Sequence, residues 1–336
     1  MENLKFPMQE RRCMPPPSAD GFPFGGDTQQ DTKISKAMEQ HRWLLFLQKL
    51  QEGKPEDIQT IFSEVKDYTC KLMFDPSGSE VILKLFQVCD EERKKQLVFS
   101  LTADAQLFIS LCLHSQGCES LKKFLGVMTP NQVSHIMNVF SYFTVPLVNH
   151  QIGCQVIHHC FKIFPANQTQ PILEVIDRYC LEIAVDQNGS ALLQVLISGD
   201  YLKGGPLYRI VSTLWSMSYN LSRNEFGTCV IQHLIGLEIP HLLERLMDRL
   251  QGSFALMWKD EPARIVLKKL MGASKKKYAP QIIEDMITSP HFLAVLLQNR
   301  DPFLLQFAKI YAKLSQKFVF NKKGKRRWWL WLWILP

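Results

Sequence analysis

Several familiar signatures are missing from this chain of 336 residues. Its nine cysteines are an odd number and none stands in a CxxC pair, which argues against a disulfide framework and against structural zinc. No apolar run approaches the roughly 18 residues of a membrane-spanning helix. The first residues carry charges where a signal peptide has an apolar stretch. We therefore expect a soluble, intracellular protein.

Catalytic motifs are missing too. The sequence has no GxGxxG, no P-loop and no HExxH, and its acids form no paired set within one motif. We therefore expect no enzymatic activity, no cofactor or metal, and no small-molecule substrate.

Positive charge is scarce in the body of the chain. Lys and Arg number 39 against 32 Asp and Glu, but five of the positive residues lie in KKGKRR at 322–327, and without them the balance is 34 against 32. A nucleic-acid partner must therefore be argued from individual residues and not from bulk charge.

A helical repeat follows a short leader. Residues 1–32 hold five prolines and three glycines without apolar periodicity, so we expect them to be disordered. From residue 33 the spacing is helical, and one pattern recurs: an apolar residue, a Gly or Pro six positions later, then apolar residues three, four and eight positions further on. We call the Gly or Pro the pivot. The pivots are Gly78, Gly117, Gly153, Gly189, Gly227, Pro262 and Pro302, which lie 35 to 40 residues apart.

The pivot spacing predicts a solenoid of about seven units. Each pivot begins a helix whose apolar stripe faces the stack, and positions +1, +2 and +5 from the pivot lie off that stripe. Stacking would align these triplets along one surface. Asp75, Asp186 and Asn224, three residues before their pivots, are predicted to cap the helix N-termini.

Two segments carry a family resemblance. The segments DQNGSALLQ (186–194) and NEFGTCVIQ (224–232) resemble the D/N-x-x-G-x-x-V/I-I-Q core of the Pumilio, or PUF, repeat family, the divergent plant members in particular. The resemblance covers roughly 57–319. It implies an all-α fold, a right-handed superhelical solenoid of about seven three-helix repeats, over 33–321. It also implies that the second helix of each repeat presents two side chains to the edge of an RNA base and a third that stacks on it.

The same resemblance assigns RNA-contacting residues. Positions +1 and +5 would read the base edge and position +2 would stack. The predicted contacts are Ser190, Ala191, Gln194, Thr228, Cys229, Gln232, Cys154, Gln155, His158, Arg264, Ser79, Cys118 and Lys122. The pair Ser190 and Gln194 resembles the adenine-reading pair of the family, and Thr228 with Gln232 is a near variant. Arg264 looks like a stacking residue.

Other units depart from the family pattern. At position +5, Leu83, Leu267 and Phe307 cannot hydrogen-bond a base edge. At position +2, Glu80 and Glu119 offer poor stacking platforms, as do Ala191 and Cys229. The resemblance therefore indicates the fold more firmly than it indicates sequence-specific recognition of RNA.

The resemblance implies a function in gene regulation. It predicts a monomeric, single-stranded RNA-binding protein that binds the 3′ untranslated regions of messengers through a concave face, with protein effectors, and lowers their translation or stability in the cytoplasm. The alternative is a protein-interaction scaffold, because HEAT and armadillo stacks have similar periods. Nuclear entry through KKGKRR is a further alternative.

The Trp-rich tail WWLWLWILP (328–336) follows the basic linker and falls outside the repeat pattern. It either inserts shallowly at a membrane interface or packs as a cap on the last unit. We favour a cap or an incorrect gene model, since nothing else in the chain prepares for a membrane.

Overall fold

The computed structural model describes residues 29–199 and 205–291, and all regular structure in these ranges is helical. The predicted seventh pivot, Pro302, and the Trp-rich tail lie outside the described residues, as does the predicted leader up to residue 28. The end of that leader was predicted wrongly, because residues 29–32 form the first turn of helix α1. The last Gly or Pro before this helix is Gly26, so nothing in the sequence from residue 27 interrupts a helix.

The described chain forms 19 α-helices. Their bounds are α1 Gln29–Glu52, α2 Pro55–Val65, α3 Thr69–Leu72, α4 Pro76–Val88, α5 Glu91–Thr102, α6 Ala105–Leu113, α7 Ser115–Leu125, α8 Pro130–Val148, α9 Gly153–Ile163, α10 Ala166–Arg178, α11 Cys180–Ala184, α12 Gln187–Ser198, α13 Gly205–Ser216, α14 Ser218–Ser222, α15 Gly227–Gly236, α16 Pro240–Leu250, α17 Phe254–Lys259, α18 Glu261–Lys276 and α19 Ala279–Thr288. A 3₁₀ turn, Lys66–Tyr68, precedes α3. None of these helices is long and apolar enough to cross a membrane alone. Only α5 and α6 together pass such a test, and they bend by 83° at the break between them.

Six three-helix units follow α1 and α2. Each has a first helix, a pivot helix and a third helix: α3 to α5 form unit 1, α11 to α13 unit 4, α14 to α16 unit 5 and α17 to α19 unit 6. Helix α8 serves both unit 2 (α6, α7, α8) and unit 3 (α8, α9, α10), because its first part is the third helix of one and its last turn is the first helix of the next. The predicted three-helix repeat with the pivot on its second helix is confirmed.

The units stack in chain order. Each pivot helix packs on the next along the series α4, α7, α9, α12, α15 and α18, and the third helices α5, α8, α10, α13 and α16 form a parallel series. Helix α1 packs against α4 and α2 at the start of the stack. Apart from the pair Arg42 and Glu64, the long-range side-chain hydrogen bonds of the described residues join partners 32 to 41 positions apart, which is one repeat length. Each unit is therefore coupled to its immediate neighbours, as in other solenoids.

The pivot glycine is required by a close backbone approach. A Cβ atom at any of the five pivot glycines would lie 2.5 to 2.8 Å from the carbonyl oxygen of the residue six positions earlier. At Gly189, for example, it would meet the Ile183 carbonyl oxygen at 2.5 Å. The six-residue spacing seen in the sequence therefore records the contact between the first helix and the pivot helix of one unit.

The pivot helices bury the predicted stripe and one further position. The pivot residue and the side chains at positions +3, +4, +7 and +8 are buried, as with Gly227, Val230, Ile231, Leu234 and Ile235 in α15. Position +7 completes the stripe, because residues with this spacing share one helix face. Each Val, Leu, Ile or Phe side chain of this stripe contributes roughly 1.5 to 3 kcal/mol when it is fully buried.

The predicted N-caps are confirmed. A carboxylate oxygen of Asp75 accepts the Gly78 N–H at 2.7 Å, one of Asp186 accepts the Gly189 N–H at 2.9 Å, and the Asn224 amide oxygen accepts the Gly227 N–H at 2.8 Å. Units 2 and 3 use histidine in the same place. Nδ1 of His114 accepts the Gly117 N–H at 3.2 Å, and Nδ1 of His150 accepts the Gly153 N–H at 3.3 Å.

Candidate nucleic-acid interface

The pivot helices present one face that lies off the buried stripe, and we call it the pivot face. In units 1 to 5 the side chains at position +2 are exposed and those at position +5 are half-buried. Position +2 is occupied by Glu80, Glu119, Gln155, Ala191 and Cys229, and position +5 by Leu83, Lys122, His158, Gln194 and Gln232. Because pivot helices pack on one another in register, these side chains form a continuous row along the stack.

The side chains at position +1 lie deeper. Ser79 and Cys154 are half-buried, whereas Ser190 is only 3% exposed and Thr228 only 5%. The Thr228 hydroxyl donates to the Pro262 carbonyl of unit 6 at 3.1 Å, and the Ser190 hydroxyl donates to the Gln187 carbonyl at 3.0 Å. The Cys118 thiol, also buried, lies 3.8 Å from the Ile152 carbonyl oxygen of unit 3. These groups are engaged with backbone carbonyls, and their contact with a base stays a prediction.

Units 4 and 5 offer matched carboxamides. Gln194 and Gln232 occupy the same position, +5, on α12 and α15, which pack together. Nε2 of Gln194 donates to the Ser190 carbonyl at 3.2 Å. A carboxamide has two N–H donors and an acceptor oxygen, so this bond leaves one donor and the oxygen for a ligand. The exposed neighbours at position +2, Ala191 and Cys229, are small and leave room for a planar ligand.

Unit 3 carries a mixed set. Sγ of Cys154 lies 3.3 Å from the Gln151 carbonyl oxygen, and Nε2 of Gln155 donates to the same oxygen at 3.4 Å. Burial raises the pKa of the Cys154 thiol, so the thiol is protonated at neutral pH and is a weak hydrogen-bond donor. His158 is half-buried at position +5.

Units 1 and 2 place acids on the pivot face. Glu80 and Glu119 are exposed at position +2, and Oε1 of Glu119 lies 2.5 Å from Nζ of Lys122 in an ion pair. Lys122 is thus neutralised locally. Leu83 of unit 1 packs partly into the core. This end of the face offers little attraction to a phosphate backbone.

Unit 6 has a different register from the one predicted. In units 1 to 5 the N–H at position +1 donates to the carbonyl of the capping residue, as Thr228 does to Asn224 at 2.9 Å; in unit 6 the corresponding bond runs from Arg264 to Asp260, also at 2.9 Å. The buried stripe agrees, because Ala263, Val266, Leu267, Leu270 and Met271 are buried. The pivot of unit 6 is therefore Ala263 and not Pro262.

The correction changes the residues on this part of the pivot face. The predicted triplet Ala263, Arg264 and Leu267 is wrong, since Ala263 and Leu267 belong to the core. The triplet in its place is Arg264, Ile265 and Lys268, so Arg264 stands at position +1 and not at the stacking position. Proline, like glycine, often marks a turn or a helix boundary, and Pro262 was therefore predicted to be the pivot. In the structure it lies in the first turn of α18, where helix hydrogen bonding needs no backbone N–H. Asp260, three residues before the pivot, makes no cap and accepts instead from Nε of Arg223 at 2.9 Å.

Metal binding finds no support in the described part of the chain. No group of three or more His, Cys, Asp or Glu side chains is placed there to hold a metal ion. Eight cysteines are described and all are free thiols. Burial raises the pKa of Cys70 to about 12 and those of Cys89 and Cys180 to about 11. These buried thiols act as small apolar side chains.

Comparison with known proteins agrees with this geometry. The family model described as "Pumilio-family RNA binding repeat" matches residues 68–102, 108–139, 144–176, 179–194 and 219–250, which follow units 1 to 5. The chain belongs to the Pumilio family. Unit 6, where the pivot is Ala263, lies beyond the matched segments of this Pumilio chain.

The relatives include plant proteins, as predicted. Pumilio homolog 12 of Arabidopsis thaliana is 26% identical over 265 residues, which are 78% of this chain and 44% of the relative. Pumilio homolog 9 of the same plant is 28% identical over 264 residues, which are 78% of this chain and 46% of the relative. The chain thus spans less than half the length of these two relatives.

Solved structures show the same fold. The Puf4 RNA binding domain bound to the HO endonuclease RNA 3′ UTR recognition sequence matches with a TM-score of 0.58 and 19% identity, over 84% of this chain and 93% of that one. The RNA-binding domain of yeast Puf5p bound to AAT2 RNA matches with a TM-score of 0.60 and 22% identity, over 84% of this chain and 78% of that one. The predicted Pumilio-type helical solenoid is confirmed.

Two features of the interface have no clear signal in the sequence. The histidine caps are outside the usual N-cap set of Ser, Thr, Asp and Asn. The cross-unit bond of Thr228 depends on how units stack. The register of unit 6 had one available signal, since Asp260 stands three residues before Ala263, as Asp186 stands before Gly189.

Proposed function

We propose that this Pumilio chain binds single-stranded RNA along its pivot face and regulates messengers after transcription. The observation that carries the proposal is the pair of carboxamides, Gln194 and Gln232, at equivalent positions on two packed pivot helices. Each lies beside a small side chain at position +1 and a small exposed one at position +2. The family description as an RNA binding repeat and the RNA-bound Puf4 and Puf5p domains support it.

The proposal extends to targets and outcome. We propose that the RNA is a messenger 3′ untranslated region, that binding lowers translation or stability, and that the protein acts in the cytoplasm with protein effectors. Units 4 and 5 should each favour adenine, because a carboxamide both donates and accepts, as the edge of adenine does. A fluorescent fusion found only in the nucleus would contradict the cytoplasmic part.

The test compares two double variants. Gln194→Ala with Gln232→Ala should weaken RNA binding about 30-fold and abolish the adenine preference at two adjacent positions, since each of the two lost base contacts removes about 1 kcal/mol. The matched control is Gln96→Ala with Gln106→Ala, which removes two exposed glutamines from α5 and α6. Binding is measured by fluorescence anisotropy on RNAs taken from an unbiased selection.

The competing function is a protein scaffold. Exposed Glu80 and Glu119 favour it, because carboxylates on the pivot face repel phosphates. A scaffold would give no RNA crosslinking in cells together with a stable protein partner in a pull-down. If instead RNA is bound but the Gln194 and Gln232 variant equals its control, RNA binding stands and the assignment of the two glutamines is wrong.

A further inference from the structure

A groove between units 1 and 2 is separate from the pivot face. It has a volume of about 560 Å³ and is lined by the turn before α3, by α3, by α5 and by the start of α6. Ala103 and Asp104, at the 83° bend between α5 and α6, are among its lining residues. No lining residue of this groove belongs to a pivot helix, so its occupant is a different question from the RNA.

Apolar side chains make up much of the groove. Phe99 is 58% exposed, Leu107 is half-buried and Cys70 is buried, and all three line it. The Phe99 ring contacts His135, with ring centres 4.5 Å apart, so the ring is held in place although most of the side chain is exposed. An exposed aromatic ring in a concave surface is stabilised when another apolar group covers it. The groove therefore suits an apolar side chain.

The charges at the groove favour an acidic occupant of protein type. Lys66 is half-buried and Lys71 is exposed, and neither forms an ion pair with another described residue. Asp104 accepts two backbone N–H groups in the first turn of α6, both at 3.0 Å, where the helix dipole offsets its charge. Asp67 is the other acid of the lining. Two cations thus outnumber the one remaining acid, while the two carboxylates disfavour a chain of phosphates.

The chain itself contains a segment of matching chemistry. Residues 20–27 have the sequence DGFPFGGD, and we call them the FPF segment. Phe22 and Phe24 supply apolar side chains, and Asp20 and Asp27 supply one carboxylate on either side of them. The proline between the phenylalanines favours an extended backbone, which a groove can accept without any regular structure.

The FPF segment is attached on the side of the molecule where the groove lies. It ends two positions before the start of α1. Helix α1 runs antiparallel to α2, because Arg42 pairs with Glu64 near the end of α2 and Lys49 pairs with Asp57 near its start. The first half of α1 therefore extends past the end of α2, where the chain continues into the groove at Lys66.

The lengths of chain allow the contact. The helix from Arg42 back to Gln29 rises about 20 Å. The extended chain from Gln29 back to Phe22 can span about 25 Å. The segment can thus return from the start of α1 to the level of Arg42. Tethering also gives it a high effective concentration at the groove, so a weak contact is enough to fill the site.

We propose that the FPF segment binds in this groove of its own chain, with its phenylalanines against Phe99 and its aspartates beside Lys66 and Lys71. The proposal is independent of RNA binding, because the groove is off the pivot face. It also has a consequence for regulation: while the segment occupies the groove, a partner protein with the same chemistry must displace it.

Limited digestion of the full-length chain tests the contact. Chymotrypsin cleaves after Phe24 but does not cleave the Phe–Pro bond after Phe22, so one cut reports on the segment. Mass spectrometry follows its rate. The wild type should be cut about 10-fold more slowly than a synthetic peptide of residues 17–31, because cleavage follows the population of the released segment.

Charge reversal tests the pairing. Lys66→Glu with Lys71→Glu should remove most of the protection. The matched control, Lys123→Glu with Lys162→Glu, reverses two exposed cations outside the groove and should retain it. Thermal melting followed by circular dichroism checks that each variant is folded.

A rescue separates lost pairing from lost folding. Asp20→Lys with Asp27→Lys should remove the protection in the wild-type background. The same pair of changes, added to Lys66→Glu with Lys71→Glu, should restore it, since the charges are then exchanged. A misfolded groove could not be rescued in this way.

A photocrosslink locates the segment. Benzoylphenylalanine in place of Phe24 should crosslink on irradiation to the tryptic fragment 96–122 of the same chain, which contains Phe99.

Three results would overturn the proposal. Cleavage of the wild type as fast as the free peptide would show that the segment does not bind. Crosslinks confined to other fragments would place it elsewhere. Protection that is lost on dilution, together with crosslinks between two chains, would show that the groove binds the segment of a second copy and not its own.

Discussion

Units 1 and 2 and units 4 and 5 share one scaffold but carry different surfaces. All four have a pivot glycine, a side chain three residues earlier that accepts the N–H of that glycine, and the same buried stripe. On the pivot face, units 1 and 2 carry exposed Glu80 and Glu119, whereas units 4 and 5 carry small side chains at position +2 beside Gln194 and Gln232. The inward residues therefore determine the fold of a unit, and they place no constraint on what the outward residues bind.

The largest expected effect tests whether the scaffold is shared. Gly117→Ala in unit 2 and Gly189→Ala in unit 4 should each destabilise the fold by about 3 kcal/mol, because the new Cβ overlaps a backbone oxygen and the units must shift. The control is Gly272→Ala on α18, where no atom lies within 4 Å and alanine should stabilise the helix by about 0.5 to 1 kcal/mol. Chemical denaturation measures all three. If one of the two Gly→Ala variants lost much of its unfolding free energy and the other lost none, the two regions would be built differently.

The next effect comes from converting one surface into the other. Glu80→Ala with Leu83→Gln leaves Ser79 in place and gives unit 1 the triplet of unit 4. RNA affinity should rise about 5-fold on targets with an adenine at the added position, since one base contact contributes about 1 kcal/mol. The control Glu92→Ala removes one exposed acid from α5, off the pivot face. An equal gain in the control would attribute the effect to charge alone.

Acid should weaken the first units more than the later ones. Burial lowers the pKa values of His135, His159 and His233. Each ring contacts the preceding unit: His135 lies 3.0 Å from the Thr102 hydroxyl, His159 lies 3.2 Å from the Lys122 carbonyl oxygen, and His233 lies 2.5 Å from the Ser198 hydroxyl. Two of these contacts join units 1 to 3, and one joins units 4 and 5.

The sign follows from the lowered pKa values. As the pH falls below about 6.5, the ordinary value for histidine, the unfolded chain takes up protons that the folded chain resists, so stability is lost. The stability that these neutral histidines contribute is fully present above that pH. Thermal midpoints at pH 7.5 and 5.5 should differ less for His135→Gln with His159→Gln than for the wild type, and His233→Gln should show a smaller change. If the double variant showed the same difference between its two thermal midpoints as the wild type, this account would be wrong.

The smallest effect concerns one ion pair. Glu119→Gln removes the partner of Lys122 and should raise RNA affinity about 2-fold at low salt, with the gain vanishing at high salt. Glu92→Gln on α5 serves as the control for a general change in charge. A gain that persists at high salt would point to a direct contact of the new amide with RNA.

The sequence was informative where backbone geometry restricts residue choice. A Cβ at Gly189 would overlap a carbonyl oxygen, so the glycine recurs at a fixed spacing and reveals the units. Asp75 and Asn224 were predictable as caps for a similar reason, since few side chains satisfy a free N–H at a helix start. In unit 6 the pivot is alanine, which does not stand out in a sequence as glycine does. The neighbouring Pro262 was predicted as the pivot instead, so the predicted register was one residue too early.

The interface was harder to predict because stacking decides it. The burial of Ser190 and Thr228 results from the packing of one unit on the next, and the bond from Thr228 to Pro262 joins residues 34 positions apart. The ion pair between Glu119 and Lys122 has a spacing typical of helices, but its presence on the candidate RNA surface appears only once the helix faces are known.

The side-chain hydrogen bonds between units join residues about one repeat length apart, so each unit contacts only its neighbours. This has an evolutionary consequence. A substitution at an exposed position +2 or a half-buried position +5 affects at most its own unit and the adjoining ones, so it can be selected for its effect on binding with little loss of stability elsewhere. Duplicated copies of such a gene can therefore diverge in what each unit recognises, one unit at a time. The acids of units 1 and 2 and the cations of unit 6 illustrate how different the exposed residues of units in one solenoid can be.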